Sequence, residues 1–250
     1  MKTSGLLLTG LVVWVTGVTA AVAGWSDYLD QLKYSVSIPT ETAPDLNLTN
    51  AEMVSGLKEA LGKGIQFAVD NLGKDGGFLN NSAVKIPMPD SLSWVEMSLR
   101  TLHQDELADE FIDTMNHAAE QAVPEAATIF GQAIQNMSVE DAQGILAGPD
   151  DAATQYFRTN TEVALTEKMR PIVEEATAYA GVTSAYKNMM ARAGAMTSLL
   201  SGDATDLDGY VTDKTLDGLF LMIAEEEKKI RENPLARSTD LLKKVFGASE

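Results

Sequence analysis

The sequence predicts an all-α protein: a compact multi-helix bundle or array, preceded by an N-terminal signal peptide and a short arm. Three observations predict it. Apolar residues recur at i, i+3, i+4 and i+7 through successive segments, the period of one helical face. Capping residues, glycines and prolines punctuate the ends of those segments. No stretch alternates apolar and polar residues as a half-buried strand would. With 250 residues and no cysteine, the chain must draw its stability from apolar packing.

Residues 1–23 read as an export signal. Met1-Lys2 is a positive start, Gly5 to Ala23 is uncharged and mostly apolar, and Ala21-Val22-Ala23 places small residues where a signal peptidase reads. Cleavage is expected after Ala23, with a periplasmic destination and no stable membrane span after cleavage. The alternative is an uncleaved anchor, because the uncharged run reaches Ser26; Thr9, Gly10, Thr16, Gly17 and Thr19 weaken it as a span. Residues 24–48 form the arm and a linker. Trp25, Tyr28, Leu29 and Leu32 share one helical face, and Pro39 and Pro44 then interrupt any helical period.

The helical domain is expected over 49–247. Thr49-Asn50-Ala51-Glu52 is a capping box. Met53, Leu57, Leu61, Ile65, Ala68 and Leu72 trace the stripe that follows, which Gly73 stops; Gly62 and Gly64 inside it suggest close helix packing. Residues 73–90 form the longest irregular stretch of the body. Asp90 is placed to cap a helix carrying Leu92, Val95, Leu99 and Leu102. A helix over about 105–122 buries Leu107, Phe111, Met115 and Ala118. Pro124 suits the first turn of the next helix, with Ala127, Phe130, Ile134 and Met137 inward. Ser138-Val139-Glu140-Asp141 is another cap. Pro149-Asp150-Asp151 opens a long helix with Phe157, Leu165 and Met169, and Pro171 starts or kinks the next segment. A Met/Ala-rich helix over about 182–193 leads to the 201–205 loop. The longest helix is expected from near Asp206 to Asn233, with Leu216, Leu219, Phe220, Ile223 and Ile230 inward and Glu225–Lys229 and Glu227–Arg231 pairs at i, i+4. Ser238 caps a last short helix ending at Gly247.

The block from Leu48 to Gly247 contains the segments GLKEALGKGI, VPEAATIFGQAI, MSVEDAQGIL, GPDDAATQYFR, TEKMRPIVEEAT, DLDGYVTDKTLDGLFLMIAEEEKKIRENP and STDLLKKVFG. Through these segments it resembles the bacterial domain-of-unknown-function 4197 family. The resemblance implies an exported, largely helical bacterial protein. It implies no activity, cofactor or catalytic residue.

A formal charge of −17 sets the class of partner. Such a surface repels nucleic acid and anionic lipid and favours cations and basic partners, although solubility alone also accounts for it. The absence of cysteine excludes thiol chemistry, iron–sulfur clusters and cysteine-ligated zinc. No Gly-x-Ser-x-Gly elbow or His-Glu-x-x-His motif occurs, and the glycines of Gly56–Gly64 lack phosphate-loop spacing.

Four features offer chemistry. Asp203, Asp206 and Asp208 lie between Gly202 and Gly209 and could gather Ca²⁺ through carboxylate oxygens. In an EF-hand alignment Ala204 and Thr215 stand where two ligands belong, and helix capping is the plainer reading. Asp113, His117 and Glu120 share a helix face, but the order His-x-x-Glu departs from the di-iron pattern, so a solvated or salt-bridged histidine is expected. The 73–90 stretch displays Phe78, Leu79, Ile86 and Met88, with Pro87 and Pro89 holding Ile86 and Met88 extended. These residues either dock a ligand or partner, or plug the core from outside. The eleven methionines read as gap-filling core rather than a copper site. The functional expectation is an exported non-enzymatic binding or interaction protein of the bacterial cell envelope, without a cofactor, serving an unknown protein or small ligand. A calcium-dependent module and an envelope hydrolase without a recognisable motif are the alternatives.

Overall fold

A computed structural model describes residues 49–180, 184–185, 188 and 206–233. The signal peptide, the arm, most of the Met/Ala-rich segment, Asp203 and the Ser238 cap lie outside these residues.

Helix α1 spans Asn50–Leu72. Its capping box forms: Thr49 Oγ1 accepts from Glu52 N at 3.2 Å, and Glu52 Oε2 accepts from Thr49 N at 2.9 Å. Leu57, Leu61, Ile65, Ala68 and Leu72 are all buried. At Gly64 an added Cβ would meet Glu226 Cβ at 3.7 Å, an ordinary contact, so this glycine is not what brings α1 against its neighbour.

A 3₁₀ turn at Asp90–Leu92 leads into α2 (Ser93–Thr101). Asp90 makes no side-chain cap; its carbonyl accepts from Ser93 Oγ at 2.8 Å. Leu102 is 61% exposed, because α2 ends at Thr101 and His103 turns the chain at φ 55°. Helix α3 spans Asp105–Ala122 and buries Phe111, Met115 and Ala118, while Leu107 packs partly buried against the core. Pro124 sits in a second 3₁₀ turn, Val123–Glu125, before α4 (Ala126–Asn136). The Ser138 capping box then opens α5 (Val139–Ala147).

Helix α6 runs unbroken from Ala152 to Ala180, through Pro171. Pro171 is exposed, so water can satisfy the carbonyl that the missing N–H leaves without a donor. Met169, Val173 and Ala176 on the buried side hold the helix together across it. At 29 residues α6 exceeds α7 (Leu207–Glu232, 26 residues), which corrects the expectation of which helix is longest. The inward face of α7 is as expected, with Leu216, Leu219, Phe220, Ile223 and Ile230 buried. Its Glu227–Arg231 pair closes at 2.8 Å. Lys229 pairs with Glu226, one turn away, rather than with Glu225.

The described residues contain helices and turns and no strand. Helices α6 and α7 pack along one another, with α3 against α6 and α1 against α7. At the centre Phe130 of α4 meets Phe157 of α6 and Phe220 of α7 edge-on, at 5.6 and 5.9 Å between ring centroids. Among the described residues, no helix is long and apolar enough to cross a membrane.

Candidate functional site

The 73–90 stretch is a strap drawn over α3 and α7. Gly76 turns it at φ 74°, and at Gly77 any Cβ would fall 2.4 Å from the Leu72 carbonyl oxygen. Two buried polar side chains of α3, one helical turn apart, then tie it down. Glu120 Oε1 accepts from the backbone N–H groups of Phe78 and Leu79 at 2.9 and 3.1 Å. Asn116 Oδ1 accepts from Ile86 N and its Nδ2 donates to Ile86 O, both at 2.8 Å. From α7, the Tyr210 hydroxyl donates to Pro87 O at 3.1 Å. These bonds satisfy backbone groups that an irregular segment would otherwise bury unpaired.

The same bonds decide where the nominated residues go. Phe78, Ile86 and Met88 are buried in the core, and Phe78 lies against the bare backbone of Gly218 on α7. A Cβ at Gly218 would come within 2.7 Å of the Phe78 ring. This burial is that of a plug. Leu79 alone of the four keeps part of its side chain at the surface. Ile86→Ala is therefore expected to lower stability by about 3 kcal/mol in urea unfolding. A loss under about 1 kcal/mol would mean that the strap is not part of the core.

Beside the strap, Asp75, Leu79, Asn80, Asp113, Thr114, His117 and Glu120 line an open depression of about 480 Å³. Three acidic side chains line it and no lysine or arginine does. The Glu120 side chain is only 5% exposed. His117 Nδ1 stands 3.6 Å from Glu120 Oε2 and 3.6 Å from Asp75 Oδ1. His117 Nε2 lies 2.8 Å from the side-chain amide of Gln121. One donor atom each from Asp75, His117 and Glu120 falls within 4.8 Å of the others, a grouping with the composition of a metal site. The sequence put His117 and Glu120 on one face but joined them to Asp113. Asp113 does line the depression, yet the third member of the close group is Asp75, from the strap.

The acidic residues of the other nominated site have different partners. Asp206 caps α7, its Oδ1 accepting from Gly209 N at 2.8 Å, while Oδ2 pairs with Arg170 of α6 at 2.8 Å. The Gly209 backbone hydrogen bond, helped by Arg170, holds the Asp206 carboxyl below the usual carboxylate range. Folding thus favours its charged form, and the cap's contribution is present at neutral pH and lost as the pH falls through the lowered value. Asp208 accepts from the Thr177 hydroxyl of α6. The chain is helical over Leu207–Glu232, and Thr215 is buried with its hydroxyl on Val211 O, so among the described residues the stretch up to Thr215 is helix and not a calcium-binding loop. Asp206 also borders a second depression, of about 490 Å³, with Arg170 and Tyr210. Burial, followed by the Asp90 charge, pushes the Tyr210 hydroxyl pKa up. A cation at Asp206 would have to displace Arg170.

Several residues with structural roles in and around the site went unread in the sequence. Asn116 and Gly218 were not singled out, although a glycine inside so regular a helical pattern signals a close neighbour. Asp75 gave no signal, since it reaches His117 only through the fold.

The fold and the depression define an all-helical body with a rigidly strapped, acidic surface site. The chain belongs to a family described as protein of unknown function (DUF4197), whose profile matches residues 47–247. No curated protein and no solved structure is detectably similar to it.

Proposed function

We propose that the protein is an exported, non-enzymatic binding protein of the bacterial cell envelope, and that the depression between the strap and α3 is its recognition site. The observation that supports this is the double anchorage of the strap by Asn116 and Glu120. It holds Leu79 and the backbone beside Asp75 in place before any ligand arrives, which lowers the entropy lost on binding. The acidic lining favours a cationic ligand. The Thr114 hydroxyl in the depression is engaged by its own helix, donating to Phe111 O at 2.9 Å, which supports binding over nucleophilic catalysis.

The test is a comparison of the full-length chain with Leu79→Arg, which places a cation in the depression. Fractions of envelope extract are scored by the shift in melting temperature they cause. A fraction that stabilises the parent chain and not Leu79→Arg locates recognition here; equal stabilisation of both locates it elsewhere. The export half is tested on the native protein by mass spectrometry. Gly24 is the expected first residue, and an intact Met1 in the membrane pellet would instead make the leader an anchor.

A further inference from the structure

We propose that the depression binds a divalent transition-metal ion, zinc above all, through His117 Nδ1, Asp75 and Glu120 Oε2. The proposal rests on the depression being the recognition site and names the class of its ligand.

The donor set comes first. One imidazole and two carboxylates suit zinc and its neighbours, whereas calcium takes an all-oxygen shell. Spacing comes second. His117 Nδ1 is 3.6 Å from both carboxylate oxygens, too far for a hydrogen bond with either. Ligand atoms bound tetrahedrally at about 2.1 Å from zinc stand roughly 3.4 Å apart. The imidazole nitrogen therefore stands from each carboxylate oxygen at nearly the separation a shared ion imposes, and the donor atoms of the three residues lie within 4.8 Å of one another.

The state of Glu120 is the independent observation. Its side chain is 95% buried, yet only Oε1 accepts hydrogen bonds from the described residues. Oε2 is turned toward the depression and the imidazole. Oε2 opens on the depression, where a cation or water can meet its charge. The two strap N–H groups on Oε1 would be the outer partners that orient a ligating carboxylate. Gln121 would do the same for His117. With its amide turned over, the Gln121 carbonyl oxygen accepts from Nε2–H and leaves the Nδ1 lone pair for the metal. Asp75 is 96% exposed beside the turn at Gly76, so its side chain can close onto the ion without rearranging the core. Three protein ligands at an open surface leave a coordination position for water or a donor group of a further ligand.

The competing reading is a plain ion pair between a protonated His117 and its acidic neighbours. Calorimetric titration with zinc chloride separates the two, using the untagged full-length chain, His117→Gln and Asp75→Asn. Cobalt(II) absorption on the same proteins provides a second readout. The parent chain is expected to bind one ion with a dissociation constant on the order of micromolar, about 100-fold more tightly than Ca²⁺. His117→Gln should weaken zinc binding by at least about 10-fold and abolish the cobalt ligand-field bands, and Asp75→Asn should weaken zinc binding by about 10-fold. Both replaced side chains lie at the surface, and unchanged circular dichroism confirms that the variants fold. No zinc binding by the parent chain, or binding that His117→Gln and Asp75→Asn leave intact, overturns the metal assignment. If zinc fails while an envelope fraction still stabilises the parent chain and not Leu79→Arg, the recognition site stands and only its ligand class falls.

Discussion

Phe220→Ala is expected to lower the unfolding free energy by about 3–5 kcal/mol. Phe220 is 1% exposed, and its ring meets Phe130 edge-on at 5.9 Å between centroids. Phe130 meets Phe157 in the same way, so this one ring helps join α4, α6 and α7. Truncation loses the transfer energy of the ring and leaves a cavity that three helices cannot easily close. It also removes one of the partners of Arg158, whose guanidinium carbon lies 4.6 Å from the Phe220 centroid and which pairs as well with Glu162 and Asp217. Urea unfolding followed by circular dichroism measures the loss. A shifted midpoint at unchanged slope is the expected form, since the surface exposed on unfolding stays nearly the same. A loss under about 1 kcal/mol would place Phe220 outside the packed centre.

Glu227→Ala is expected to cost a similar amount, about 3–5 kcal/mol, for an electrostatic reason. The residue lies within α7 and is 7% exposed. Its Oε1 accepts from Ala153 N and its Oε2 from Thr154 N, both at 2.9 Å, at the first turn of α6. Thr154 Oγ1 donates to Oε2 as well, and Arg231 pairs with Oε1 at 2.8 Å. Glu227 thus caps the start of another helix, where a carboxylate meets free N–H groups and the positive end of the helix dipole. Alanine removes that acceptor and leaves donors of a buried helix start without it. Glu227→Gln keeps an acceptor oxygen but removes the charge, so it should lose less than alanine. Equal losses in the two variants would mean that the charge, not the cap, carries the effect. A negligible loss in both would mean that the start of α6 is held by packing alone.

The strap shows how such buried polar groups serve a site. Asn116 and Glu120 anchor an irregular segment to α3, so Ile86 and Phe78 stay in the core while Asp75 and Leu79 remain at the rim. The proposed recognition surface and the core thus share the same anchors. Ile86→Ala is expected to act on stability, whereas His117→Gln and Asp75→Asn act on binding with little effect on stability.

What the sequence determined by itself is what neighbouring residues decide. The Thr49 and Ser138 capping boxes involve partners three residues apart, and both form. The buried stripes of α1, α3, α4 and α7 follow from the helical period, because residues three and four apart share a face whatever lies opposite. The family membership was legible in the same way, through segments of contiguous residues. Pro171 marks where local reasoning ended: a proline reads as a break, but burial on the opposite side of α6 outweighed the missing hydrogen bond. The site lay further beyond reach. Glu120 and His117 were visible as a pair on one helix, but Asp75 joins them from the strap, 42 residues before His117 in the chain. Glu227 and the start of α6, and Phe78 and Gly218, are likewise partners brought together from distant segments. Only tertiary packing chose those partners. Periodicity and caps specify which face of a helix turns inward, whereas a contact between distant segments depends on how every intervening helix is placed.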